Sequence, residues 1–332
     1  MKPTPVLILR PDDSDSSPVD QTLAARLAAG PGIAFLEHRF RRDLPDDLER
    51  QMSCWEGKVA GVIGAMRVPE SQLLGTLAAK MNMLCFLANN NPAVWQNRRN
   101  VFHIGFPTAQ TAAAVAAALV QSVDRHRYLL LYDPTEFQTR VATAMELRLR
   151  GHGKDVRALP HHPGDPLDIG DGWRPDLIYV VFSSERKALK IVQTIGQGVP
   201  DTPLVFGRSL LRQSFLQHLH GRAGEFWFVD TNFRRNRTQT ESQQKFMHTM
   251  EQSGIAVPTT NHAFGWDCMK FCAEALQAGD SDPDRAIAYL ESGVTLEGAG
   301  GACTFAPDNH NGRHGSGPTI LSRWNNGRFE DA

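Results

Sequence analysis

YLLLYDPTEFQTRVATAMELRLRG, residues 128–151, reads as one strand, one turn and one helix in order. The apolar run 128–133 stops at Asp133-Pro134, and a helical pattern follows until Gly151, a residue type common just past a helix end. The same unit recurs downstream in DLIYVVFSS (176–184), the helix ERKALKIVQTIGQG (185–198) and PLVFG (203–207). It also occurs upstream, in VAGVIGAM (59–66), MLCFLAN (83–89) and VFHIGF (101–106). One run of strand-then-helix segments ends near Val123 and another begins at Tyr128. This alternation predicts an α/β fold with two Rossmann-like lobes, each a parallel sheet covered by helices. The strand ends facing a cleft between such lobes are the expected place for a ligand.

Length and composition agree with two lobes. The chain has 332 residues, 41% of them apolar, enough for two cores. Its net charge of −1 gives no global field for DNA or an anionic membrane. The basic clusters Arg41-Arg42, Arg98-Arg99 and Arg234-Arg235-Asn236-Arg237 lack interleaved aromatics and read as solvated loops rather than nucleic-acid contacts. No apolar run reaches the ~20 residues of a membrane helix, so no stable membrane insertion is expected. The opening MKPTPVLILRPDD is too short in apolar length for a signal-peptide core. Two readings stay open: a cytoplasmic protein, or a periplasmic one whose leader has been removed. Five cysteines give an odd count. Cys268 and Cys272 are one helical turn apart, which suits a disulfide poorly, while a Cys54–Cys85 bridge is possible.

Along the chain, strands are expected over 5–10 and 33–40, with a short helix between them over 19–30. Helices are expected over 44–57, 69–82 and 108–123, the last Ala-rich and apolar on most faces. After the strand FWFVDTNF (226–233), three helices follow over 241–254, 260–279 and 283–292, and should return to cover the first lobe. The tail reads as loop, strand, Asn-Gly turn, strand.

Several chemistries leave no trace. There is no GxSxG elbow, no P-loop lysine and no three-glycine dinucleotide loop, so no cofactor is implied. The nearest histidine sets, His310 with His314, His161-His162, and His218 with His220, lack metal-site spacing. No carboxylate pair divides into acid and base, and no catalytic residue can be named.

Taken together, GKVAGVIGAM (57–66), MNMLCFLANNNPAVW (81–95), RRNVFHIGFPTAQTAAAVA (98–116), residues 128–156, GWDCMKFCAEALQAG (265–279) and the tail FAPDNHNGRHGSG…NNGRFE resemble a known family. It is that of the type I periplasmic binding proteins, especially the branched-chain amino-acid and amide-binding receptors of ABC transporters. The resemblance covers nearly the whole chain and rests on the order of the stretches rather than on any one of them. It implies two lobes joined by a three-crossover hinge that close on a small ligand. The crossovers would fall near 123–126, 233–237 and 305–317. Lobe 1 would comprise 1–123 with 236–306, and lobe 2 would comprise 124–235 with 307–332.

By position, the resemblance places the ligand carboxylate on side chains and backbone N–H groups at Met66, Arg67, Ala88, Asn89 and Asn90, although Asn89-Asn90-Asn91-Pro92 also reads as a plain turn. It gives Phe137 and Trp266 as aromatic walls, with core packing as the competing reading. Ser183 and Ser184 match ligand positions after the next strand, while Ser184 equally suits a helix N-cap. Amino-acid receptors commonly carry an acid after the PLVFG strand to hold the ligand ammonium; here Arg208 and Ser209 stand there. Arg67 and Arg208 would repel an ammonium and suit a carboxylate. The helix after the first strand is short, and the Gly-rich stretch usual after it is absent. The implied protein is the solute-binding receptor of an ABC importer, taking a small organic acid or amino-acid-like ligand and docking on the transporter's membrane subunits without doing chemistry. A cytosolic ligand sensor of the same fold is the alternative.

Overall fold

The computed structural model describes residues 3–12, 32–44, 46–64, 68–88, 91–106, 108–170, 172–199, 201–231, 239–255, 258, 260–313, 319–325 and 327–331. The expected helix over 19–30 lies outside them. The chain divides into two compact units. Unit 1 is Met1–Pro107, Phe233–Ile255 and Thr260–Gly317; unit 2 is Thr108–Asn232, Ala256–Thr259 and Pro318–Ala332.

Unit 1 holds a five-stranded sheet of β1 (Thr4–Pro11), β2 (Ile33–Phe40), β3 (Gly61–Gly64), β4 (Leu84–Leu87) and β5 (Val101–His103). Its order is β2-β1-β3-β4-β5, and every pairing is parallel. The strands are apolar on successive residues because both faces are covered. Val6, Ile8, Ile63, Phe86 and Phe102 pack against helices α7 (Glu241–Gln252), α8 (Thr260–Ala278) and α9 (Pro283–Glu291). Leu7, Leu9, Val62, Cys85 and Leu87 face α1 (Asp47–Ser53) and α2 (Val68–Lys80) on the other side. A two-stranded antiparallel ribbon, β11 (Thr295–Leu296) with β12 (Cys303–Thr304), follows α9.

Unit 2 holds a seven-stranded sheet. Its strands are β6 (Arg127–Tyr132), β7 (Asp155–Pro160), β8 (Leu177–Val181), β9 (Leu204–Phe206), β10 (Phe226–Thr231), β13 (Thr319–Asn325) and β14 (Arg328–Asp331). The order is β14-β13-β10-β9-β8-β6-β7, parallel from β7 to β10 and closed by the antiparallel β13–β14 hairpin. Helices α5 (Glu185–Gly198) and α6 (Gln213–Leu219) pack against Leu129, Leu131, Val180 and Phe206. Helices α3 (Thr108–Ser122) and α4 (Glu136–Gly151) pack against Leu130, Tyr179, Val205 and Val229.

Two expectations about boundaries need correction. Helix α3 belongs to unit 2, where Ala112, Val115, Ala116 and Leu119 share a core with Leu321 of β13, so the first passage between units falls at Pro107/Thr108 rather than near 123. Residues 307–317 belong to unit 1: the backbone of Asn311 bridges His103 beside β5, and Gly312 N–H donates to His103 O at 2.9 Å.

Candidate functional site

In each unit the strand order reverses once, and the carboxyl ends of the two strands flanking that reversal are where an open α/β sheet offers backbone groups to a ligand. In unit 1 the reversal lies between β1 and β3. At the end of β3, a Cβ on Gly64 would come within 2.6 Å of the Leu9 carbonyl oxygen, so only glycine fits. Met66, Arg67, Asn89 and Asn90 lie outside the described residues. Ala88, directly after β4, is buried in the same cluster as Ile104 and Phe106, so its backbone rather than its methyl is what it can offer a ligand. Asn91 follows the turn reading: its Oδ1 accepts from Ala93 N–H at 3.0 Å.

Trp266 departs from its expected role. It is 2% exposed and packs edge-on against Phe246, with ring centroids 5.7 Å apart, in the core of unit 1. Core packing, the competing reading, accounts for it.

In unit 2 the reversal lies between the neighbours β6 and β8, and here the structure brings three of the expected residues together. After β6, Thr135 caps α4 by accepting from Gln138 N–H, and Phe137 sits in the first turn, half-buried and outside both apolar clusters of the unit. After β8, Ser183 is exposed, and its hydroxyl accepts from Gln138 Nε2 at 2.5 Å. Ser184 caps α5, accepting from Lys187 N–H at 3.4 Å. Lys187 Nζ donates to Asp133 Oδ2 at 2.7 Å, fastening the start of α5 to the end of β6. Two helix N-termini therefore open at adjacent strand ends, joined by the Gln138–Ser183 hydrogen bond, with Phe137 in the first turn of α4. Unpaired N–H groups of a first helical turn attract an anion.

Arg208 and Ser209 form the 3₁₀ turn after β9, and both are engaged within the unit. Arg208 Nη2 donates to Thr319 Oγ1 at 2.5 Å, and Ser209 Oγ donates to Phe182 O at 3.2 Å. Burial pushes the Tyr179 hydroxyl up to about 12, against an opposing pull from the Arg208 charge. Burial likewise lowers His161, which follows β7, with Asp165 opposing.

Unit 1 also holds a buried ion pair that no sequence motif marks. Asp267 of α8 and Arg313 are 0% and 2% exposed, with Arg313 Nη2 donating to Asp267 Oδ2 at 2.5 Å. Ala299 N–H donates to Asp267 Oδ1 at 2.6 Å and Gly300 N–H to Oδ2 at 2.9 Å. Arg313 also donates from Nε to Ile104 O at 2.6 Å and from Nη1 to Gly301 O at 2.8 Å, and its guanidinium lies over Phe106 and Phe264. Burial pushes the Asp267 carboxyl up, while Arg313 and the two amides pull it down. A Cβ on Gly298 would meet the Asp267 carboxylate at 2.5 Å, and one on Gly300 would meet Arg313 Nη2 at 2.6 Å, which explains the glycines of that loop. His310, from the histidine-rich tail, contacts Val101 O through Nδ1 and Glu291 through Nε2, at 3.1 and 3.0 Å, and stacks on Phe102. Among the described residues no helix is long and apolar enough to cross a membrane.

A family model described as periplasmic binding protein matches residues 50–328. No curated protein matches the chain. Among solved structures, the chain is similar to the leucine-binding protein LivK of Thermotoga maritima, with 14% identity and a TM-score of 0.79 over 99% of this chain and 97% of that one. It is similar to an ABC transporter substrate-binding protein of Desulfitobacterium hafniense in complex with leucine, at 18% identity and TM-score 0.77 over the whole of both chains. It is also similar to a solute-binding protein of an ABC transporter from R. palustris in complex with 4-hydroxybenzoate, at 13% identity and TM-score 0.74 over 99% of this chain and 95% of that one.

Proposed function

The chain belongs to the periplasmic binding protein family, and on that premise we propose that it is the extracytoplasmic solute receptor of an ABC importer, taking up a small carboxylate-bearing molecule and releasing it unchanged to the transporter's membrane subunits. The observation that carries the reading is the group at the ends of β6 and β8: Phe137, Ser183, Ser184 and the N-termini of α4 and α5. An aromatic ring beside hydroxyl and amide donors suits a small anion with an apolar body. From unit 1, the backbone at Ala88 and the residues Met66, Arg67, Asn89 and Asn90 complete the ligand set by family resemblance.

The ligand is an organic acid rather than an α-amino acid. Arg208 stands after β9, where a carboxylate would be needed to hold an ammonium, and Arg67 adds a second positive charge after β3. Either charge disfavours an ammonium and favours an acid. Leucine and 4-hydroxybenzoate, the ligands named for the relatives, share a carboxylate and differ in the ammonium. Binding works by closure of the two units about the solute, with micromolar affinity needing about −8 kcal/mol, within reach of a few charge-assisted hydrogen bonds.

Thermal unfolding against a panel of aromatic acids, dicarboxylic acids and branched-chain amino acids tests this. A true ligand at a hundred times its Kd adds about 2.7 kcal/mol to stability and raises Tm visibly. Stabilisation by an acid lacking an ammonium is expected; stabilisation by leucine or valine alone overturns the ligand class.

A further inference from the structure

The pattern T-E-x-Q opens two helices of this chain, and the structure uses it in two ways. At α7 it closes a capping box: Thr240 accepts from Gln243 N–H, and Gln243 Oε1 accepts from Thr240 N–H at 3.1 Å. At α4 the residues are Thr135 and Gln138, and the box stays open. Thr135 N–H donates instead to Asp133 O at 2.7 Å, so the backbone donor that the glutamine would serve is already taken. Thr135 Oγ1 accepts from Gln138 N–H at 3.4 Å and donates its own hydrogen to Gln138 Oε1. The side-chain amide is thereby turned the other way, and Nε2 donates to Ser183 Oγ at 2.5 Å. Gln138 is 7% exposed, and both ends of its amide have a partner within the unit. Ser183 is exposed, and among the described residues no acceptor is shown for its hydroxyl hydrogen.

We propose that Gln138 is a positioning residue that fixes the polarity of Ser183, so that this serine offers a hydrogen rather than a lone pair to a solute at the end of β8. The reasoning is a count of hydrogens. A hydroxyl has one hydrogen and two lone pairs, and a carboxylate has acceptors only. Thr135 gives its hydrogen to Gln138, Gln138 gives one to Ser183, and Ser183 keeps its own for an outside acceptor. Each donation in this relay polarises the next. A carboxylate completes the relay. An ammonium, which only donates, leaves the serine hydrogen facing another hydrogen. The proposal rests on the reading of Ser183 as a solute contact. It goes further by giving the organic-acid class a cause in the first turn of α4 that does not depend on the arginine charges.

The direction of the relay is read without solute, from the Gln138 side-chain amide in proton–nitrogen correlation spectra, where its signal is identified by its absence in Gln138→Met. Ser183→Ala removes the acceptor and is expected to shift that signal and to abolish the slow exchange of its bonded hydrogen with water. With the amide turned round, so that Nε2 donates to Thr135, the same variant leaves the exchange as in the parent, and that result overturns the proposal. Calorimetry with 4-hydroxybenzoate reads the consequence for binding. Ser183→Ala and Gln138→Met are each expected to weaken it about tenfold, the scale of one hydrogen bond, and the double variant to go no further than either single. A Gln138→Met protein that binds like the parent, or two losses that multiply, also overturns the proposal. If Gln138→Met does not melt cooperatively, Gln138→Leu takes its place in both measurements, and Ser183→Ala, at an exposed position, still decides the direction. Absence of binding to the parent counts against the solute class alone, because the amide exchange involves no solute.

Discussion

Asp267 cannot change alone. Its carboxylate is the only anion shown against the buried Arg313 guanidinium among the described residues, and two amides of the Gly298–Gly301 loop point at it. Removing one partner of a buried pair strands the other charge, at a cost of about 3–5 kcal/mol. Asp267→Asn should lower the unfolding free energy by that amount in urea titration, and Asp267→Leu combined with Arg313→Met should recover most of it. The pair was invisible in the sequence for a plain reason: its members lie 46 positions apart and belong to no motif. Trp266, next to Asp267, illustrates the opposite difficulty. An aromatic on a helix reads equally as a core residue or a ligand wall, and only its burial against Phe246 separates the two. For Arg208 the position was legible but its bond to Thr319 was not, because the two lie 111 positions apart.

At the scale of elements, the start of α5 shows how capping and binding share a residue. Ser184 accepts from Lys187 N–H and so satisfies one of the orphan donors of the first turn. Ser184→Ala should cost about 1 kcal/mol of stability, and Ser184→Asp should restore it, since a carboxylate caps as well and complements the helix dipole. If the hydroxyl also meets the solute's carboxylate, that same Ser184→Asp variant loses affinity while keeping its stability, as calorimetry with the best compound of the thermal screen would record. Strands such as β3, β4, β8 and β9 were readable because each is an apolar run of a few residues cut off by Gly, Pro or a polar residue, whereas β7, which mixes polar and apolar residues, and the two-residue β11 and β12 carried no such mark. Helix α3 was misassigned for a physical reason. An Ala-rich helix apolar on most faces carries no mark of which sheet it covers, and only its packing beside Leu321 places it in unit 2.

For the whole molecule, the five cysteines bear on where it can work. Cys85, Cys268, Cys272 and Cys303 are buried in unit 1, and Cys54 is exposed; all are free thiols, so the possible Cys54–Cys85 bridge is absent. Burial pushes the four buried thiols up, Cys303 to about 12. Thiolate is the reactive form, so these four are inert while the fold holds, even in an oxidising compartment. A thiol reagent should titrate one group rapidly in the native protein and five after unfolding; fast reaction of more than one in the native state would contradict the buried cluster.

Strand β13, placed between β10 and β14, follows the described helices and strands of unit 1 in the chain. The second sheet therefore stays unfinished until the segments of unit 1 have been synthesised, and the first waits for residues that follow the second's parallel strands. Neither half can mature on the ribosome ahead of the other. A premature stop before β13 leaves the β10 edge bare, ready to recruit a strand from another molecule. Such a product is fated for aggregation or proteolysis rather than for partial activity.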